Sequence, residues 1–281
     1  MRETLQKLRS ALRPIYGNRE TEAIIRLIFF HLKGWKTVDM IIHEPDTLSP
    51  FLKSEIDDIL RRLLNHEPIQ YITGTARFYG LDFFVSPEVL IPRPETEELV
   101  DMITDQAEGR QDLRVLDMGT GSGCIAISLA RSLNFPKITA IDISEGALEV
   151  AKRNATQLKA DINFIHADIF NWEPQQSFDI IVSNPPYIDE SEKTDMDDNV
   201  LLHEPHTALF VPDSDPLLFY RRIAAVAWEH LTDGGRLYFE INPRHSEAMK
   251  TLVEGFGFRQ TVITRDSFGK ERFLSAEKPC L

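Results

Sequence analysis

The chain has 281 residues, 42% of them hydrophobic and 27% charged, a balance typical of a folded protein with one large or two modest domains. Its 31 basic and 44 acidic residues give a formal net charge of −13, which disfavours binding to nucleic-acid phosphates. With only two cysteines the chain has neither a disulfide framework nor a cysteine metal site. No apolar run is long enough to span a membrane, and the first residues do not resemble a secretory signal. We therefore expect a cytoplasmic protein without a bound metal.

The first 65 or so residues carry apolar side chains at helical spacing. The stripes are Leu5, Leu8, Leu12 and Ile15; then Ile24, Leu27, Ile28 and His31; then Leu52, Ile56, Ile59, Leu60, Leu63 and Leu64. This pattern predicts a small all-α domain over residues 1–70.

A short connector follows, over residues 71–94. Two aromatic segments, 77–79 and 83–85, flank a glycine turn at 80–82 and predict a β-hairpin. Pro87, Pro92 and Pro94 come next, and no regular element accommodates three prolines so close together.

The remainder, residues 95–281, alternates between strands and helices. The predicted strands are 113–117, 138–142, 162–165, 178–182, 236–241, 258–264 and 272–275, and the predicted helices are 124–133, 144–158, 217–231 and 245–256. Such alternation is typical of an α/β domain with a parallel, doubly wound sheet.

A glycine-rich loop separates the first of these strands from its helix, with glycine at 119, 121 and 123. A dinucleotide fingerprint would need glycine at position 124, which is cysteine. A phosphate-binding P-loop would need a lysine after its last glycine, where Cys124 and Ile125 stand instead. The loop therefore indicates a ligand that is not defined by its phosphates.

Acidic residues lie at the ends of three successive predicted strands. Asp142 is placed to accept the hydroxyls of a ribose, Asp168 to meet the amino group of a purine, and Asp117 to help hold a cationic amino-acid portion. A nucleoside with such a tail is S-adenosylmethionine, and class I methyltransferases have loops of this form. The predicted cofactor-binding residues are Asp117, Gly119, Thr120, Gly121, Ser122, Gly123, Asp142, Asp168, Ile169 and Asn184.

The tetrapeptide Asn184-Pro185-Pro186-Tyr187 directly follows the fourth strand. Its prolines lack backbone donors, so their carbonyls can only accept hydrogen bonds, and Asn184 adds a side-chain acceptor. These groups suit a planar NH₂, one hydrogen bonding to the Asn184 oxygen and the other to the Pro185 carbonyl. We predict that Asn184, Pro185 and Tyr187 are catalytic by orienting the nitrogen lone pair toward a methyl donor. Methyltransferases of the adenine exocyclic amine share the tetrapeptide, so it does not specify which nitrogen is modified.

Several longer motifs make the chain resemble the peptide chain release factor glutamine methyltransferases (PrmC/HemK family) over nearly its whole length. They are Gln70-Tyr-Ile-Thr-Gly74, Leu90-Ile-Pro-Arg-Pro-Glu-Thr-Glu97, Gly119 to Gly123, Ser183-Asn-Pro-Pro-Tyr-Ile188 and Glu204-Pro-His-Thr-Ala-Leu209. The resemblance implies methylation, by S-adenosylmethionine, of the glutamine amide nitrogen in the Gly-Gly-Gln motif of release factors.

The resemblance also implies roles for individual segments. The helical domain would help to grip the release factor, and residues 184–187, including Pro186, would hold the glutamine. Arg93 and Glu97 would border the substrate pocket, although Arg93 could equally be a structural ion-pairing residue. We expect a monomer that binds release factors and neither nucleic acid nor membrane directly.

The chain departs from the family pattern at two places near the site. Ile169 stands where many relatives have an aromatic residue, which leaves Phe170 to stack on the adenine in its place. Asn242 stands where a glycine is usual and is expected to reshape a rim loop.

Three other functions stay open on the sequence alone. They are methylation of adenine in nucleic acid, methylation of a ribosomal-protein glutamine, and a binding protein with a degenerate methyltransferase fold.

Overall fold

The structure, a computed structural model, describes residues 1–280. Its helices are α1 (Arg2–Lys33), α2 (Thr37–Ile42), α3 (Pro50–Leu64), α4 (Ile69–Thr73), α5 (Pro94–Gln106), α6 (Cys124–Ser132), α7 (Glu145–Leu158), α8 (Asp198–His203), α9 (Leu218–His230) and α10 (Ser246–Gly255). Its strands are β1 (Thr75–Phe78), β2 (Leu81–Phe84), β3 (Arg114–Met118), β4 (Lys137–Asp142), β5 (Ile162–His166), β6 (Phe178–Ser183), β7 (Ile188–Asp189), β8 (Phe210–Val211), β9 (Leu231–Glu240), β10 (Arg259–Arg265) and β11 (Glu271–Glu277).

The chain divides into two compact units. One comprises residues 1–75 together with 197–203, and the other comprises residues 76–196 and the chain from residue 204 onward. The smaller unit is therefore built from two segments that are distant in sequence, a feature that the helical stripes alone do not indicate. The predicted domain roles for 1–70, 71–94 and 95–281 stay predictions.

The smaller unit is helical, with a break in α1 at Gly17, whose φ of 68° is non-helical. Thr21, one turn after the break, donates a side-chain hydrogen bond to the Gly17 carbonyl over 2.6 Å. After the break, Ile25 and Phe29 are fully buried whereas Leu27 is 44% exposed and His31 is exposed. The prediction that Leu27 and His31 lie on the packed face is thus wrong, because the buried stripe runs through positions 24, 25, 28 and 29.

The larger unit begins with the predicted hairpin, whose turn lies earlier than expected. Tyr79 and Gly80 have φ angles of 49° and 71°, which suit a two-residue turn between β1 and β2. The predicted turn at residues 80–82 is wrong in position because Tyr79 adopts the left-handed conformation without being a glycine.

A seven-stranded sheet in the order β10-β11-β9-β6-β3-β4-β5 forms the centre of this unit. The five strands from β9 to β5 are parallel, as the alternation predicts. β11 is antiparallel to both of its neighbours, β9 and β10. Its pairing with β10 follows from the tight turn at 266–270, which is too short for a parallel crossover. The prediction of an entirely parallel sheet is therefore wrong at this edge.

Helices cover both faces of the sheet. Val115 and Ile180 pack with α5 and α6 on one face, whereas Leu116 and Ile181 pack with α9 and α10 on the other. This alternation along β3 and β6 makes both faces apolar, as a doubly wound sheet requires. α5 was not predicted, and its first residue, Pro94, supplies the proline that suits a helix start.

The described residues contain no helix that is long and apolar enough to cross a membrane. Within residues 1–280 no group of three or more histidine, cysteine or acidic side chains could hold a metal ion.

Candidate active site

A cavity of about 560 Å³ lies at the carboxyl edge of the parallel strands, where loops after β3, β4, β5 and β6 meet. The predicted site residues that line it are Arg93, Gly119, Thr120, Gly121, Ser122, Asp142, Asp168, Ile169, Asn184, Pro185 and Pro186. Asp117, Gly123, Tyr187 and Glu97 are not among its lining residues. The structure thus brings the glycine loop and the tetrapeptide to one cavity.

The glycine loop owes its shape to backbone conformation. Gly119, Gly121 and Gly123 have φ angles of 78°, 54° and 80°, a region that residues with a Cβ seldom adopt. A Cβ at Gly123 would also lie 3.0 Å from Ile127, whereas none at the first two glycines would meet a protein atom. Gly123 therefore serves close packing, and the first two leave open space beside the loop.

Asp117 lies beneath the loop, away from the cavity surface. Its Oδ2 accepts a 2.6 Å hydrogen bond from the Thr120 hydroxyl. Its Oδ1 is buried and has no well-formed hydrogen bond within residues 1–280. Burial raises the pKa of the Asp117 carboxyl to about 7. The predicted role of Asp117 is to contact a cationic ligand. From its buried position the carboxyl could affect such a ligand only by electrostatic attraction at a distance or through the Thr120 hydroxyl.

Asp142 and Asp168 stand at the cavity wall with acceptor capacity to spare. Asp142 accepts backbone N–H groups from Gly121 at 2.8 Å and Ser144 at 2.9 Å, one on each oxygen. Asp168 accepts from the Phe170 N–H at 2.9 Å and from Asn171 at 2.8 Å. Because a carboxylate offers about four lone-pair positions, each aspartate retains sites for a ligand's donors.

Two apolar side chains flank Asp168 in the cavity. Ile169 and Phe170 both line it, and the Phe170 ring lies 5.5 Å from that of Phe219, with Phe170 40% exposed. The Phe170 ring therefore has a partly exposed face on which an adenine could stack, next to Ile169, which is not aromatic.

Asn184 is linked to a buried polar chain. Its Nδ2 lies 3.4 Å from the Thr96 hydroxyl oxygen, and that hydroxyl donates to Glu240 Oε2 over 2.6 Å. The other oxygen of Glu240 accepts from the Tyr187 hydroxyl over 3.0 Å. Burial raises the pKa of Glu240 and that of the Tyr187 phenol, so the tyrosine stays neutral near pH 7. The tyrosine points at Glu240 and does not contribute its hydroxyl to the cavity.

Sequence reasoning did not assign roles to Thr96 and Glu240. Thr96 occurs inside the long motif that ends at Glu97, and Glu240 precedes Asn242 at the end of β9. Their participation depends on β9 lying beside β6 and on α5 beginning at the same edge, which no local pattern reveals.

Arg93 and Glu97 have different environments. Arg93 lines the cavity and forms an ion pair of 2.7 Å with Glu204, whose side chain is only 1% exposed. Glu204 also accepts the Ile91 N–H at 3.2 Å. The ion-pairing alternative for Arg93 is thus present in the structure, whereas Glu97 lies on α5 outside the cavity lining.

The rim departure at Asn242 is tied to the tetrapeptide. Asn242 is 4% exposed and its Nδ2 donates to the Tyr187 carbonyl at 3.0 Å and to Glu192 at 2.8 Å. Its Oδ1 accepts the Arg244 N–H at 3.0 Å. The side chain therefore fixes the backbone at the end of the tetrapeptide.

Comparison with known proteins gives two family matches. Residues 3–74 match the PrmC N-terminal domain, and residues 95–210 match the methyltransferase small domain.

Full-length relatives and a solved structure agree with these matches. The chain is 47% identical to the release factor glutamine methyltransferase of Bacteroides thetaiotaomicron, over 96% of this chain and 98% of that protein. It is 42% identical to the one from Flavobacterium psychrophilum, over 94% of each. A methyltransferase crystal structure from Pyrococcus furiosus superimposes with a TM-score of 0.55 at 20% identity, covering 80% of this chain and all of that one. Its similarity concerns the fold, which is that of class I methyltransferases.

Proposed function

Because the chain belongs to the family of release factor glutamine methyltransferases, we propose that it methylates the side-chain amide nitrogen of the glutamine in the Gly-Gly-Gln motif of peptide chain release factors. S-adenosylmethionine is the methyl donor. The observation that carries the proposal is that Asn184, Pro185 and the glycine loop line one cavity. A donor held by the loop and an amide held by the tetrapeptide would therefore meet.

The residues present fit S-adenosylmethionine. The spare acceptor positions of Asp142 suit ribose hydroxyls, those of Asp168 suit a purine amino group, and Ile169 with Phe170 offers an apolar wall for the ring. Beneath the loop, the incompletely paired carboxyl of Asp117 favours a cation nearby. Residues 119–122 of the loop line the cavity and offer backbone groups to the donor, while Gly123 allows the loop to pack closely against Ile127. When bound, the donor supplies a methyl group on a cationic sulfur.

At the acceptor, Asn184 and Pro185 accept the two hydrogens of the glutamine NH₂, and Pro186 keeps the segment rigid. An amide nitrogen shares its lone pair with its carbonyl, so fixing both hydrogens favours the pyramidal nitrogen that attack requires. Tyr187 acts behind this contact through its bond to Glu240. No strong base is needed beforehand, because the nitrogen would become acidic as its bond to the methyl carbon forms and the carbon–sulfur bond breaks. The donor would leave as a neutral thioether, and the nitrogen's proton would pass to water.

The helical segment 1–70 is proposed to bind the body of the release factor, with 71–94 as connector and 95–281 as the catalytic domain. On α2, Val38, Ile41 and Ile42 share one helix face and are 65%, 68% and 63% exposed. An apolar stripe this exposed is typical of a protein-binding surface. The net charge of −13 favours steering toward a basic partner and disfavours nucleic acid. We further propose a cytoplasmic monomer.

The test is methyl transfer from labelled S-adenosylmethionine to purified release factor. Parallel reactions contain a release factor whose Gly-Gly-Gln glutamine is changed, a ribosomal-protein pool and adenine-containing DNA. Label on the intact release factor alone is expected. Label on ribosomal protein or DNA would keep the fold and the amide chemistry but refute the proposed substrate.

The role of the helical segment is tested separately with the triple substitution Val38→Ser, Ile41→Ser and Ile42→Ser. These side chains are exposed, so the fold should be retained. We expect a higher KM for the whole release factor and an unchanged rate on a short Gly-Gly-Gln peptide. Equal KM values for the triple variant and the wild type would exclude this face from recognition.

A further inference from the structure

A single hydroxyl connects Asn184 to a buried carboxylate. Thr96 lies in the first turn of α5 and is 1% exposed, as is Glu240 at the end of β9. The Thr96 oxygen lies 3.4 Å from Asn184 Nδ2 and 2.6 Å from Glu240 Oε2.

The direction of these hydrogen bonds follows from the groups involved. The Thr96 hydroxyl donates to Glu240 Oε2, and a threonine hydroxyl has only one hydrogen to give. Tyr187 donates to the second Glu240 oxygen over 3.0 Å, and the carboxylate therefore has a donor on each oxygen. Toward Asn184, Thr96 then presents only lone pairs, and the NH₂ side of the asparagine amide must face them.

We propose that Thr96 and Glu240 are positioning residues that fix the amide orientation of Asn184, so that Oδ1 is kept as the acceptor for the substrate NH₂. The inference rests on the proposed function, since it assumes a planar NH₂ at Asn184. The two orientations of an asparagine amide have nearly the same shape, and the wrong one would set NH₂ against NH₂. The Thr96–Glu240 pair removes that degeneracy before the substrate binds.

The test compares Thr96→Val, Thr96→Ser and Glu240→Gln in the full-length protein with release factor as substrate. Thr96→Val removes the hydroxyl at constant shape and is expected to lower kcat about 10²-fold, the loss typical of a misplaced contact. Thr96→Ser retains the hydroxyl and is expected to stay near wild type. Donor Kd should be unchanged in both, and Thr139→Val, a buried threonine of β4, is the matched control.

Glu240→Gln tests the direction of the hydrogen bonds that link Glu240, Thr96 and Asn184, and it keeps the side chain the same size. The glutamine oxygen would accept from Tyr187, its NH₂ would donate to Thr96, and the Thr96 hydrogen would turn to Asn184, reversing that amide. We expect kcat to fall with little change in KM, and the double variant with Thr96→Val to fall no further than the worse single variant. A wild-type kcat in Thr96→Val, or losses that multiply in the double variant, would overturn the proposal.

A readout that does not need catalysis separates this inference from the proposed function. In ¹⁵N NMR spectra the Asn184 side-chain amide, assigned by its loss in Asn184→Ala, should shift in Thr96→Val and Glu240→Gln but not in Thr139→Val. If the wild type modified another substrate, the proposed function would fail while these shifts still reported the orientation. An unchanged Asn184 amide signal in both site variants would overturn the inference alone.

Discussion

Two regions of the cavity are assembled in different ways: the donor side, where the glycine loop and Asp142 are proposed to hold the methyl donor, and the acceptor side, where Asn184 is proposed to hold the amide. On the donor side, Thr120 bonds to an aspartate three residues away, and Gly121 bonds to one 21 residues away. On the acceptor side, Asn184 meets Thr96 across 88 residues, and Thr96 meets Glu240 across 144. The first arrangement belongs to one strand–loop–helix unit and its neighbouring strand, whereas the second needs α5, β6 and β9, which are far apart in sequence, to lie together.

The largest effect is expected from Asn184→Ala, which should lower catalysis while leaving the donor side unchanged. Loss of one preorganised polar contact at a reacting centre typically lowers kcat by about 10²–10³-fold. Donor binding should be nearly intact, because the polar groups proposed to hold the donor are Asp142, Asp168 and the glycine loop, which line the same cavity. The measurements are single-turnover methyl transfer and calorimetric donor binding.

Asn163→Ala, at an exposed asparagine of β5, serves as the control for that substitution. Close to full activity in Asn184→Ala would contradict the proposal that Asn184 orients the substrate amide. A parallel loss of donor affinity would instead mean that the two sides are not separable.

This contrast explains what could be predicted from the sequence. The glycine loop, Asp142 and Asp168 follow from strand ends and spacing, and the class I methyltransferase fold is confirmed. The Thr96–Glu240 contact could not be predicted, because it depends on which distant elements become neighbours. α5 and the antiparallel pair of β10 and β11 were missed although local signals mark both: Pro94 at the helix start and the short turn at 266–270. The buried position of Asp117 was also missed, since a strand-end residue gives no sign of whether it faces the cavity or the core.

Arg93→Met should have the next largest effect, on stability. It would leave the carboxylate of Glu204 buried without its cation, a change that typically costs about 3–5 kcal/mol. Denaturant unfolding of the single variant and of Arg93→Met combined with Glu204→Gln measures it, and the double variant should recover most of the loss. If stability were unaffected while the KM for release factor rose, the substrate-bordering role of Arg93 would be favoured over the structural one.

Asn242→Gly should give a smaller loss. It removes the donor to the Tyr187 carbonyl, and an unpaired buried carbonyl costs about 1–3 kcal/mol. Asn242→Asp should be worse than the glycine variant, because a carboxylate would face Glu192 and the same carbonyl. Thermal unfolding of both variants ranks them, and greater stability of the aspartate variant would refute this account of the rim.

The smallest effect concerns the donor side and appears as a dependence on pH. Burial raises the pKa of Asp117 to about 7, while in the unfolded chain it lies near its ordinary value of 3.8. Between these values the folded state binds the extra proton, so this carboxyl's contribution to stability decreases as the pH rises and levels off above 7. From pH 6 to 8 the expected decrease is about 1 kcal/mol, from 1.36 kcal/mol per pKa unit.

Asp117→Asn isolates this contribution, because the difference in unfolding free energy between wild type and variant cancels the other titrating groups. The unfolding free energy of the wild type should fall relative to that of Asp117→Asn as the pH rises from 6 to 8. A saturating cationic donor should move this fall in the wild type to lower pH, because a nearby cation favours the carboxylate. A constant difference across this range would contradict a pKa near 7 for Asp117 in the free protein.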